Sequence, residues 1–279
     1  MRISIRHVTR YDYAEAAAGV VMRLRLKPAN SNAQTIERWA VTVNDAPIEQ
    51  WIVNGFGDAE ALWRARGRVE GVTIVAEGAV QTFDRAGVTK PLDGEARPQL
   101  FLRHTALTEI DERIAALAER ARSGEGALSS LHALKDLVHA EVPWRSGSTT
   151  VETTAAEALA QGAGVCQDQT QIFIAAARSL GIPARYVVGY LRDDGRPDDA
   201  HDTHGWAEAW LEGLGWVGFD CSLGRCPEDG HVRLCCGLDA ADAAPIRGVM
   251  MPGAETELSH DVQIASLPLD ESVQTQTQQ

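Results

Sequence analysis

The feature that most constrains the fold of this chain is a change in apolar period near residue 103. Before it, short runs rich in β-branched and aromatic residues alternate in part with polar ones. Examples are Ile36–Val43, Gln50–Val53, Ala59–Trp63 and Gly67–Ala76. Gly, Asn and Asp separate these runs, the pattern of antiparallel strands joined by tight turns. After a loop-like stretch at 84–99 the period becomes helical. Ile110, Ile114, Leu117 and Ala121 share one face, and a second set runs from Leu128 to Val138 and stops before Pro143. Thr154 and Glu157 form a capping-box pair that opens a third, short helix. The chain therefore reads as α+β: a β-rich unit over 1–103, then a mixed unit over 104–269 with a strand near 257–267. A Gln- and Thr-rich disordered tail is expected over 270–279.

Chemistry concentrates in the second unit. Gly162-Ala163-Gly164-Val165 leads into Cys166, and a helix-forming sequence follows as far as Leu180-Gly181-Ile182-Pro183. A thiol at a helix N-terminus faces unpaired backbone N–H groups and the positive end of the macrodipole, which favour the thiolate. A lone cysteine in such a place is more often packing than nucleophile. A downstream hairpin changes the balance. Thr203–Leu211 and Gly215–Asp220 are two strand signals around Glu212-Gly213-Leu214. Alternation puts His204, Trp206, Glu208 and Trp210 on one face. If Trp210 pairs with Trp216, Asp220 becomes the same-face diagonal neighbour of His204, roughly 7–8 Å away between backbones. A register shifted by one residue would separate them. A nucleophile, a base and an orienting carboxylate thus follow in the order Cys166, His204, Asp220.

Gly164-Val165-Cys166-Gln167-Asp168, Leu180–Tyr190, His204-Gly205-Trp206-Ala207-Glu208 and Gly215–Asp220 together resemble the core of the bacterial transglutaminase-like superfamily. Met1–Tyr13 and Val21–Pro28 resemble the β-rich N-terminal domain of the same proteins. The resemblance implies an N-terminal antiparallel β-sandwich, then a papain-like core in which helices pack on an antiparallel sheet. It implies a Cys-His-Asp triad and a thioester intermediate, but no single substrate. Cross-linkers, amide hydrolases and proteases all belong to the superfamily. It also suggests Trp144, an aromatic residue upstream of the cysteine, as an oxyanion donor, with Trp206 as cleft wall. Two positions depart from the family pattern. Gly205 stands where Ala is common, and Cys221 stands where Pro usually stiffens the exit after the aspartate.

Other residues are given blander roles. His201 lacks the strand context of His204, and the remaining histidines, His231 among them, read as isolated surface or core residues. Asp168 suits the first turn of a helix without any catalytic task. Arg185 reads as a structural anchor for carboxylates. Cys221, Cys226, Cys235 and Cys236 crowd together, yet no Cys-x-x-Cys pair is present and the last two are adjacent, so buried thiols are expected rather than zinc. No cofactor is expected.

A charge of −13 disfavours nucleic acid and anionic membranes. No run is long enough to span a bilayer, and the start of the chain has no apolar signal core. The expected setting is cytoplasmic, and the expected partner is a protein or peptide substrate. Five aspartates in Arg192–Asp202 suggest a charged loop over the site. The reading from another class is a non-catalytic protein that binds a peptide or partner in the same cleft.

Overall fold

The computed structural model describes residues 1–193, 202–249 and 256–268. Most of the charged loop and the expected tail fall outside these residues. Eight strands come first: β1 (Arg2–Ala17), β2 (Val21–Lys27), β3 (Gln34–Val43), β4 (Ala46–Pro47), β5 (Ile52–Val53), β6 (Ala59–Arg64), β7 (Val69–Thr82) and β8 (Val88–Thr89). Four helices follow: α1 (Glu112–Ala121), α2 (Ala127–Glu141), α3 (Ala155–Gln161) and α4 (Cys166–Ser179). The chain then returns to strands with β9 (Ala184–Leu191), β10 (His204–Leu211), β11 (Gly215–Phe219) and β12 (His231–Gly237). A one-turn helix α5 (Ala240–Ala243), β13 (Ile246–Val249) and β14 (Thr256–Ser266) complete it.

The strands form antiparallel sheets in the orders β14-β1-β7-β3-β4, β13-β2-β6-β5 and β12-β9-β10-β11-β8. The first two carry the N-terminal sandwich, and the third is the sheet on which α4 packs. Alternation on β1 and β7 sends Ile3, Ile5, Val72 and Ile74 inward. They share one continuous apolar core with Leu24 of β2, Leu134 of α2, and Ile172 and Phe173 of α4. The strand expected near 257–267 is β14 (Thr256–Ser266), which lies in the N-terminal sheet rather than beside α4. It pairs with β1 over Ile3↔Ser266 through Tyr13↔Thr256. β13 likewise joins β2, whereas β8, from the N-terminal part, caps the catalytic sheet beside β11. The two parts are interlaced, and each closes an edge of the other. Edge pairing is a long-range event that no local pattern reports.

Local signals hold where the sequence is explicit. Thr154 and Glu157 make the reciprocal capping box of α3, and Gly162 ends that helix in the left-handed region. Arg178, at the far end of α4, is buried. It donates to the carbonyls of Phe101, Ala184 and Leu238 and to the Thr108 hydroxyl. One side chain thereby ties α4 to β9 and to the segment leading into α5. No helix among the described residues is long and apolar enough to cross a membrane.

Candidate active site

The candidate nucleophile is set by a short, crowded turn. Cys166 is the first residue of α4 and is half-buried. Asp168 is fully buried just behind it, and its Oδ2 accepts from the Val165 N–H at 2.7 Å and the Thr149 hydroxyl at 2.6 Å. This is the N-terminal, dipole-facing role the sequence suggested. The turn requires glycine at 164, because a Cβ there would lie 2.7 Å from the Asp168 Cβ.

The hairpin has the register that alternation required. Trp210 faces Trp216, and pairing ends at Ala207↔Phe219. His204 Nε2 donates to Asp220 Oδ2 at 2.6 Å, with both side chains buried. The exit after Asp220 needs no proline. Asp220 Oδ1 accepts from the Ser222 N–H at 3.0 Å, the Ser222 hydroxyl at 2.7 Å and the Leu223 N–H at 3.1 Å. Backbone bonds between Asp220 and Arg225 close the loop. His139 adds a bond to the Cys221 carbonyl at 2.8 Å. The carboxylate organises its own turn, and buried Cys221 fills space beneath it.

Gly205 also has a physical reason. A Cβ there would meet the Tyr186 hydroxyl at 2.0 Å, so glycine lets Tyr186 pass directly under the base strand. The Gly205 N–H is aimed at the Cys166 sulfur. Burial pushes the Cys166 thiol up. The neighbouring His204 and the Gly205 N–H outweigh it and leave the thiol below its usual value. Burial alone would depress His204, but Asp220 and Cys166 push it up to about 10. Burial works against the Asp220 anion too, and His204 and His231 hold that carboxyl far below its usual range. All three shifts act in the direction of a thiolate–imidazolium pair backed by a carboxylate. His204 Nδ1 is buried and has no fully formed hydrogen bond. It is the ring nitrogen left for the thiol, and slack at this contact is normal before substrate binds.

Of the five free thiols, Cys166 is the one pushed down. Burial pushes Cys235 up to about 12 and raises Cys221, Cys226 and Cys236 as well. Cys235 Sγ donates to the Ala243 carbonyl at 3.3 Å, and Cys236 packs with Val187 and Trp206.

Two aromatic assignments separate. Trp144 lies beside the nucleophile turn through a backbone bridge to Gly164, and its side chain is 54% exposed. Trp206 is 2% exposed, and with Glu208, His231 and Arg233 it lines a small pocket. It lies against the imidazoles, 6.2 Å from the His204 ring and edge-on to His231 at 5.4 Å. Gly189 permits this, because a Cβ there would come within 2.7 Å of the indole.

The residue that sequence reading missed is His231, on β12. Its Nε2 donates to the same Asp220 oxygen at 3.1 Å, while its Nδ1 accepts the Glu228 N–H at 3.1 Å. With Nδ1 occupied as an acceptor, Nε2 is the nitrogen that carries an N–H toward Asp220. The ligand atoms of His204, Asp220 and His231 lie within 4.8 Å of one another, a spacing that a metal site also shows. The 2.6 Å contact is nevertheless a charge-assisted hydrogen bond. Two ligands on one tetrahedral zinc stand about 3.3 Å apart, given its usual bond lengths.

A half-buried thiol at the start of α4, with an imidazole and a buried carboxylate paired through the antiparallel hairpin, makes up the candidate active site. The transglutaminase-like superfamily profile matches residues 115–221, and the profile of the bacterial transglutaminase-like N-terminal region matches residues 3–81. The chain belongs to the transglutaminase-like superfamily, with a bacterial transglutaminase-like N-terminal region ahead of the core. It is similar along its length to an uncharacterised protein of Mycobacterium leprae, 27% identical over 280 residues, covering 95% of this chain and 99% of that one. An uncharacterised protein of Mycobacterium tuberculosis is 26% identical over 297 residues, covering 96% of this chain and 93% of the relative. Among solved structures, a candidate cysteine protease from Cytophaga hutchinsonii superposes with a TM-score of 0.75. The two chains are 25% identical, over 97% of this chain and 92% of the other.

Proposed function

We propose that this protein cleaves or transfers an amide-bonded acyl group, from a peptide bond or a glutamine side chain, through a thioester on Cys166. The observation that carries the reading is His204 held between Asp220 and a thiol whose acidity is raised. The Cys166 thiolate adds to the amide carbonyl carbon. The Cys166 backbone N–H faces the developing oxyanion, with the Trp144 indole N–H as the second donor. His204 gives its Nδ1 proton to the leaving nitrogen, the C–N bond breaks, and the acyl group stays on sulfur. His204 then takes a proton from the attacking water or amine, and collapse of the second adduct breaks the C–S bond, releasing the acid or new amide and returning the Cys166 thiolate beside the charged imidazole. Asp220 keeps the imidazole oriented and stabilises its charged form.

Water is favoured as the second nucleophile. The groove beside the thiol has a volume of about 600 Å³ and is bordered by exposed Val151, so it is no narrow tunnel that would exclude water.

The test is alkylation by iodoacetamide at about pH 6, with mass mapping. Cys166 is expected to react at least about tenfold faster than any other cysteine, because thiolate fraction sets the rate. Incubation with a peptide amide should then give an acyl adduct on Cys166. An unreactive Cys166 would leave the non-catalytic binding reading in its place.

A further inference from the structure

We propose that the groove beside Cys166 is a built subsite for an apolar side chain on the acyl side of the attacked carbonyl. This inference rests on the catalytic reading above and adds the substrate class. Gln167 and Thr203, the chain neighbours of Cys166 and His204, line the groove, and so does Tyr186, which is close enough to Cys166 to feel its charge. Tyr186, whose hydroxyl lies under Gly205, forms part of its wall. Its floor is made of small apolar residues, Ala240, Ala241, Ala244 and Pro245, with Val188 behind them.

That floor is held rigidly. Asp239 caps α5 through the Asp242 N–H at 2.6 Å, and Leu238 donates to Asp242 Oδ2 at 3.0 Å. Arg25, 1% exposed, spends its guanidinium on the carbonyls of Cys236, Asp242 and Ala244. Gly237 lets α5 press onto β12, since a Cβ there would lie 2.5 Å from the Ala243 nitrogen. Two buried arginines thus clamp the segment, Arg178 at Leu238 before α5 and Arg25 at Cys236 before it and Ala244 after it. A segment fixed in this way presents a preformed surface, so a ligand that fills it need not order the floor first.

The lining chemistry selects the occupant. The two charged residues on the groove, Glu152 and Arg247, have opposite signs and stand on different elements, so they give no net preference for a charged residue. The remaining surface is mostly alanine, valine, leucine and proline. It offers a partner to an aliphatic or aromatic side chain and none to an ammonium or carboxylate.

The experiment uses the full chain and two series of electrophiles, acetyl-X-chloromethyl ketones and acetyl-X-Gly-chloromethyl ketones, with X as Gly, Leu, Phe, Asp or Lys. Sulfur displaces chloride, and iodoacetamide measures the bare thiol in every protein. In at least one series Leu or Phe should label Cys166 about tenfold or more faster than Gly, Asp or Lys, the scale of one buried apolar side chain. Ala241→Phe, at an exposed floor position, and Ala244→Phe should bring the Leu-to-Gly ratio to within about threefold of unity once divided by the iodoacetamide rate. Equal rates for Leu and Gly in both series would overturn the subsite. So would a ratio unchanged in both variants. Failure of every probe to label Cys166, iodoacetamide included, would instead remove the catalytic reading and this inference with it.

Discussion

Two clusters of buried charge lie four residues apart on β10, and burial serves opposite ends in them. Around His204, a carboxylate and two imidazoles face a half-buried thiol. Around Glu208, the buried groups are Arg185, Arg233, Glu95 and Asp58. Arg185 Nε donates to Glu208 at 2.7 Å, and its Nη1 lies 2.8 Å from Glu95. Arg233 Nη1 donates to Asp58 at 2.8 Å, and Asp58 also takes the Cys236 N–H at 2.8 Å. The Trp216 ring covers the Arg185 guanidinium at 3.9 Å. Arginine does not release a proton in a protein, so this second cluster has no proton to move. The first contains titratable rings beside a half-buried thiol. Proton mobility and access, rather than burial or charge, separate a reactive cluster from a structural one.

The strongest way to break the comparison is to remove residues 1–103. That truncation strips Asp58 and Glu95 from Arg233 and Arg185, removes β8 from the catalytic sheet and takes away the strands on which β13 and β14 pair. Two buried guanidinium groups would each lose one carboxylate partner, Arg185 keeping only Glu208, and each loss costs about 3–5 kcal/mol, of the order of a whole domain's stability. The truncated chain should show no cooperative thermal transition. A sharp melt with retained selective alkylation of Cys166 would mean that the second cluster is not structural.

Next is Asp220→Asn. The amide can still receive one hydrogen bond, but it no longer stabilises a charged imidazole or fixes its tautomer. Turnover should fall by roughly 10³–10⁴-fold, as in other triads that lose their acid. Less than about a tenfold loss would show that Asp220 only fills the turn. The same variant changes the pH dependence of stability. His204 is raised in the folded protein to about 10. Its contribution is therefore fully present below its unfolded value near 6.5 and is lost as pH rises through the folded value. Asp220 is depressed, so its contribution is present above about 3.9 and is lost as pH falls below that. Urea unfolding from acid to alkaline pH should show both slopes in the parent protein and neither at full size in the variant.

Glu208→Ala addresses the other cluster. It leaves Arg185 with Glu95 alone and Arg233 with Asp58 alone, and should cost about 3–5 kcal/mol in unfolding free energy. The ratio of Cys166 alkylation to that of other cysteines should stay within about twofold in the folded fraction, since Glu208 contacts neither thiol nor base. A large fall in that ratio without a stability loss would merge the two clusters into one functional unit.

The contrast also explains what the sequence could reveal. Cys166, His204 and Asp220 were legible because each sits in a local pattern: a helix start, an alternating strand, a register fixed by Trp210 and Trp216. The α3 capping box was legible for the same reason. His231 was not, because a histidine in His231-Val232-Arg233-Leu234 carries no local mark. It reaches Asp220 only because the 220–225 turn and the Glu228 N–H deliver it there. Trp206 was placed on the correct face, but alternation cannot say whether that face opens to solvent. The partners of Arg185 and Arg233 come from Glu95 and Asp58, far away in sequence, and β14 finds β1 across nearly the whole chain. Such pairings follow from packing, on which single-strand patterns are silent.

The smallest expected effect is also the sharpest test, because it asks whether His231 belongs to the reactive cluster or merely touches it. Its ring gives Asp220 one N–H and is held by the Glu228 backbone on one side and by the edge contact with Trp206 on the other. His231→Phe keeps the aromatic volume and removes that donor. Asp220 still has its bonds from Ser222, Leu223 and His204, so it stays ionised at neutral pH but is less firmly oriented. A hydrogen bond to a charged group is worth about 1.5–3 kcal/mol. Part of that should appear as a loss of roughly tenfold in kcat, with KM within about twofold, since His231 lies behind the base and away from the substrate groove. His231→Gln restores an N–H near the same place and should recover at least about half of the loss on a logarithmic scale. If Phe and Gln lower kcat equally, the bond to Asp220 is incidental and His231 is a packing residue. If Phe alone lowers it, the orienting carboxylate is itself oriented, and the reactive cluster has four members where the sequence showed three.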